Sequence, residues 1–145
     1  MPVNPAAGPV VGDDDLMASV AAFIAERYAE KIRMADLARH VNVSVRTLQN
    51  LFHARCGESP LRALRRYRLT RLYALIQRKP WAPLRLLLDQ CGLTGALADR
   101  NLFLEMYGCT VRELQHACRF NIAARSIPAP PQAWSHLETY LPLSA

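Results

Sequence analysis

Residues 34–69 read MADLARHVNVSVRTLQNLFHARCGESPLRALRRYRL. Met34, Leu37, Ala38 and Val41 fall at i, i+3, i+4 and i+7, the spacing of one helical face. Asn42-Val43-Ser44 follows: Asn tolerates the left-handed backbone of a tight turn, and Ser44 is suited to cap the next helix. That helix is predicted from about Val45 to Cys56, with Leu48, Leu51 and Phe52 inward and Gly57 as a left-handed stop. Ser59-Pro60 then opens a further helix, Ser as cap and Pro at the first helical position. It runs to about Arg78, roughly 28 Å at 1.5 Å per residue. Short helix, tight turn, capped helix is a helix-turn-helix.

Upstream, Leu16, Val20, Phe23, Ile24 and Tyr28 share a face, and Asp13–Asp15 supply acidic residues for the start of a first helix. Downstream, Pro80 and Pro83 mark a break, after which the pattern returns. Leu84, Leu87, Leu88, Cys91, Gly92, Leu93 and Thr94 repeat Met34, Leu37, Ala38, Val41, Asn42, Val43 and Ser44 at an offset of 50. After one inserted residue, Leu102-Phe103 repeats Leu51-Phe52, Gly108 repeats Gly57, and Thr110 stands as cap for a last helix through about Arg119. A duplicated supersecondary unit is therefore expected, in an all-α fold of two helix-turn-helix lobes joined by a long central helix.

In the DNA-binding form of this motif the second helix lies in the major groove and its outward side chains meet base edges. The outward positions of the first unit are Arg46, Gln49, Asn50 and His53. Arg pairs bidentately with guanine, and Gln or Asn with adenine. A merely solvated face would more often carry Glu and Lys, and this one has no acid. The corresponding face of the second unit is Leu97, Arg100, Asn101 and Leu104, preceded by Gly95 and Ala96 and followed by Glu105. Asp99 falls where the first unit has inward Leu48. A lone carboxylate at that depth would cost several kcal/mol. Either the helix starts later or is rotated to bring Asp99 to solvent, or an Arg partners it; the first is preferred.

Charge distribution points the same way. Of the net +6, residues 39–79 hold ten basic groups against one acid, Glu58, while residues 1–38 are net negative. So concentrated a surplus fits a polyanion partner, although a solvated basic helix is the plain alternative. Phosphate contacts are assigned to Ser44, Thr47, Arg62, Arg65, Arg66 and Arg68, with other linker arginines left to solvent or to acids of the first helix.

Other classes are disfavoured. Cys56, Cys91, Cys109 and Cys118 form no CxxC pair and the histidines are scattered, so reduced thiols are expected, with no metal and no cofactor. No apolar run is long enough for a membrane span and the N-terminus makes a poor signal peptide, which predicts a cytoplasmic protein. There is no glycine-rich phosphate loop, no nucleophile with a base and no paired carboxylates, so an enzyme is not expected.

Residues from about Leu16 to Arg119 resemble the DNA-binding domain of the AraC/XylS family of bacterial transcription regulators. The segment quoted above carries the resemblance, together with LRLLLDQCGLTGALADRNLFLEMYGCTVREL at 84–114. The first segment matches in its turn, its Leu-Gln-x-Leu-Phe core and its Gly-x-Ser-Pro break. The second keeps the Cys-Gly turn, Phe103, the Tyr-Gly end and a capped last helix. The resemblance implies two recognition helices in successive major grooves about 34 Å apart. It implies base contacts around Arg46, Gln49 and Asn50, with Ala96, Leu97 and Asn101 in the second lobe. The chain departs from the family at Asp99, usually a large apolar residue, and in the scarcity of polar side chains on the second recognition helix.

The expected organisation is a disordered tail at 1–13, a domain at 14–119 and a Pro-containing tail at 120–145. The domain divides into a first lobe (14–58), a linker helix (59–79) and a second lobe (80–119). The family's separate ligand-binding or dimerisation domain is not visible, nor is a small-molecule site, which makes the chain a fragment or a minimal regulator. Trp134, Leu137, Tyr140 and Leu141 in the tail are spaced for a short amphipathic helix docking on the domain or a partner, with disorder or self-packing as alternatives. The expected function is sequence-specific binding of double-stranded DNA, activating rather than repressing transcription, with RNA polymerase as a further candidate partner. The alternative is a protein-interaction module that binds another regulator or RNA polymerase and holds DNA weakly.

Overall fold

In the computed structural model, residues 12–130 and 136–141 are described; the N-terminal tail up to residue 11 and Trp134, both subjects of expectations above, lie outside them. Seven α-helices follow one another: α1 (Asp13–Arg27), α2 (Met34–His40), α3 (Val45–Cys56), α4 (Pro60–Arg78), α5 (Leu84–Gln90), α6 (Leu97–Tyr107) and α7 (Val111–Phe120). Two short 3₁₀ turns, Ile122–Ser126 and His136–Tyr140, complete the order, and there is no strand among the described residues. The all-α expectation holds.

The local reasons are those the sequence displays. Asn42 takes φ 57° in the α2–α3 turn, and Gly57 and Gly108 end α3 and α6 at φ 69° and 72°. The Ser44 hydroxyl accepts from the Thr47 N–H at 3.0 Å, and the Ser59 hydroxyl from the Arg62 N–H at 3.2 Å, so each satisfies an otherwise orphaned donor at a helix start. Thr110 and Glu113 cap α7 reciprocally, both bonds at 3.1 Å. The exception is α6. Thr94, which the repeat aligns with Ser44, does not cap it; Gly95 (φ 81°) intervenes and the cap position falls to Ala96, which has no acceptor.

Helix α4 belongs to both lobes. Its first half sends Ala63, Leu64 and Tyr67 into a core made with Met17, Val20, Ile24, Leu37, Leu48 and Phe52. Its second half sends Leu69, Leu72, Leu75 and Ile76 into a second core with Leu87, Leu102, Phe103, Met106 and Leu114. On α1 the buried stripe is Met17, Val20, Ala21 and Ile24, with Leu16, Phe23 and Tyr28 only half-buried. The helix is thus turned by part of a residue step from the expected face.

The lobes also meet directly. Arg68 donates to the carbonyls of Tyr28 at 2.7 Å and Glu30 at 2.8 Å, just beyond the end of α1. Gly92, in the α5–α6 turn, lies so close that a Cβ there would stand 2.8 Å from the Tyr28 carbonyl oxygen. The tail adds a third link. Tyr73 and Gln77 of α4 donate to the Ile127 carbonyl, and Leu137 is fully buried in the first-lobe core, with Tyr140 and Leu141 beside it. Of the alternatives for the tail, docking on the domain is what the described residues show.

Candidate nucleic-acid interface

Helix α3 buries Leu48, Leu51, Phe52 and Cys56 and leaves Arg46, Gln49, Asn50 and His53 exposed, as the spacing requires. No ion pair or side-chain bond within the chain ties up these four among the described contacts. The first turn of α3 carries no acid, so the partial positive charge of the helix start faces outward undiminished. The Ser44 hydroxyl donates to the Thr47 hydroxyl oxygen at 2.9 Å, which leaves exposed Thr47 with its own proton to give.

Helix α6 presents Leu97, Arg100, Asn101 and Leu104 in the equivalent positions, all exposed, with exposed Ala96 at the cap. Leu97 is 66% and Leu104 47% exposed, and neither belongs to either core among the described residues. The face that is polar on α3 is half apolar on α6.

Asp99 departs from the preferred expectation. Helix α6 does start later than the repeat predicts, yet Asp99 is still turned inward, its side chain 15% exposed, and it pairs with Arg65 at 3.7 Å. The partner alternative is therefore the correct one. The pair is loose: Asp99 Oδ1 is buried without a hydrogen bond. A second bridge runs parallel, from Arg62 to Glu105 at 3.0 Å. Both connect α4 to α6, across sequence separations that leave no local periodic signal. The only hint in the sequence is two acids on a helix facing an arginine-rich one.

The arginines expected at phosphate differ in how far the chain engages them. Arg66 is nearly buried and bonds Glu58 through Nε and Nη2, at 3.3 Å and 3.3 Å to its two nearest oxygens. Arg68 is engaged with the Tyr28 and Glu30 carbonyls, and burial pushes its pKa down while Asp99 opposes that shift. Arg66 and Arg68 are thus both engaged within the chain. Arg62 and Arg65 keep partly exposed guanidinium groups beside Glu105 and Asp99, at the open edge between α4 and α6. Asp13 and Asp14 of α1 are met by Arg55 of α3, at 3.7 Å and 2.8 Å, rather than by the linker arginines.

All four cysteines are free thiols, three of them buried, and burial pushes Cys56 and Cys91 up to about 11. Among the described residues no cluster of His, Cys, Asp or Glu is placed to hold a metal, and no helix is long and apolar enough to cross a membrane.

Comparison with known proteins agrees with this geometry. Residues 37–117 match the model of a family described as a helix-turn-helix domain, of AraC type. The solved structure of a protein of unknown function from Listeria innocua superimposes with a TM-score of 0.59 at 21% identity, covering 67% of this chain and 91% of that one. At that identity the likeness is one of fold. No curated protein matches.

Proposed function

The chain belongs to the AraC-type family of helix-turn-helix domains, and from that premise we propose that it reads specific double-stranded DNA sequences as a transcription regulator. One observation carries the reading: Arg46, Gln49, Asn50 and His53 stand together on the outward face of α3, uncompensated by acid and unengaged within the chain. Long polar side chains held on a rigid helix, with the inner stripe locked by Leu48, Leu51 and Phe52, suit bidentate contact with base edges. Thr47, Arg62 and Arg65 supply donors for phosphate nearby, the two arginines through the exposed parts of guanidinium groups that stay paired with Glu105 and Asp99.

The test is selection of bound duplexes from a random pool at near-physiological salt. A motif of two parts about one helical turn apart is expected. Uniform, weak and salt-sensitive binding with no enriched motif would sink the proposal and favour the protein-interaction alternative. Activation, with RNA polymerase as protein partner, is the expected sense of regulation, and a reporter gene behind the selected site reads it directly.

A further inference from the structure

Resting on the reading of the chain as a DNA binder, we propose that the second lobe recognises thymine by its methyl group. Leu97 packs against a C5-methyl in the major groove, with Asn101 pairing to an adenine on the same face.

Three observations lead there. The first is position. Leu97, Arg100, Asn101 and Leu104 occupy the places on α6 that Arg46, Gln49, Asn50 and His53 occupy on α3, so they continue the same candidate interface. Recognition helices touch base edges with their N-terminal residues, and Leu97 is the first residue of α6. The second is unsatisfied apolar area. Leu97 is 66% exposed and joins neither core, although a leucine side chain is costly to leave in water. The third is charge. The two acids that would repel DNA from this helix are each matched by an arginine of α4, Glu105 by Arg62 at 3.0 Å and Asp99 by Arg65 at 3.7 Å. Half of what remains on the face is apolar, Leu97 and Leu104 standing beside Arg100 and Asn101.

Only one base-pair type offers an apolar group in the major groove. Thymine presents a C5-methyl, whereas guanine offers acceptors alone and calls for an Arg or Lys. Where the first lobe places Arg46, suited to guanine, the second places Leu97, suited to thymine. An amide at Asn101 matches the N7 acceptor and N6 donor of adenine. The two lobes would then read different chemistry through one architecture.

The experiment uses the full chain and the duplex recovered by selection. Thymines of the half-site bound by the second lobe are replaced singly by deoxyuridine, which deletes the methyl and nothing else. Affinity should fall about fourfold at the contacted position, the value of one methyl transferred out of water. Leu97→Ala should weaken the thymine duplex similarly and abolish the difference between thymine and deoxyuridine. Exposed as it is, Leu97 can be shortened without loss of the fold, which thermal unfolding checks. Leu97→Arg should move the preference at that position towards guanine. A G·C-rich second half-site overturns the proposal. So does a motif with no second part, or a deoxyuridine effect that persists undiminished in Leu97→Ala. Failure of the DNA-binding reading looks different: no motif is enriched for either lobe.

Discussion

The two lobes are built on one plan and differ most where they face each other and where they face outward. In the α2–α3 turn of the first lobe, Asn42 holds a left-handed backbone with its side chain in solvent. In the α5–α6 turn of the second, Gly92 does the same work with no side chain, because the Tyr28–Ala29 backbone of the first lobe occupies the space. The inward position is Leu48 on α3 and Asp99 on α6, and the outward leading position is Arg46 on α3 and Leu97 on α6. The backbone plan is shared while the side chains differ with their neighbours: the first lobe has a leucine in its own core where the second has an acid paired to α4.

The sharpest way to break this contrast is at the paired turns. Gly92→Ala should cost about 3 kcal/mol or more, since backbone rather than a flexible side chain stands in the way of the new methyl. Asn42→Ala, at the equivalent place, should cost about 1 kcal/mol. Denaturant unfolding of both variants measures the difference, and equal costs would mean that the lobes do not press on each other through Gly92.

Leu137→Ala comes next, at roughly 2–3 kcal/mol for emptying a fully buried site. The loss should appear in first-lobe probes such as Cys56 labelling before it appears at Cys91. On the outward faces, Arg46→Ala should cost about 1–3 kcal/mol of binding to the selected duplex, and Leu97→Ala about 0.8 kcal/mol. Titration on one duplex with both half-sites ranks them, and a larger loss at Leu97 would reverse the assignment of the stronger reader to the first lobe.

Asp99→Leu has a small effect of opposite sign and is the most telling, because it gives the second lobe the residue of the first. Removing a buried oxygen that lacks a hydrogen bond should raise stability by about 1 kcal/mol. Arg65, released, should steepen the salt dependence of DNA binding by about one unit of slope. A destabilised Asp99→Leu would show that the Arg65 pair holds the second lobe to α4.

Much of this is legible in the sequence itself. The caps at Ser44, Ser59 and Thr110, the stops at Gly57 and Gly108 and the span of α4 all depend on neighbours within four residues, and the sequence displays them. The outward face of α3 follows from the same periodicity once Leu48, Leu51 and Phe52 define the inside. What sequence could not display depends on partners far away. The choice of Met17 and Ala21 over Leu16 and Phe23 as α1's buried stripe is a matter of rotation, set by what α1 packs against. Arg66 and Arg68 look like any linker arginine until Glu58 folds under one and the end of α1 meets the other. Asp99 was visible as an anomaly, and its resolution required the helix opposite.

One consequence concerns the order of synthesis. Leu137 completes a core whose other members lie between Met17 and Tyr67, and the whole second lobe is encoded in between. A ribosome therefore releases the first lobe early but with a hole in its interior, and delivers the plug only after the second lobe has emerged. Domains usually mature in the order they are made. Here the half that is made first is finished last, so that a chain halted before residue 137 carries an intact second lobe and an unfinished first one.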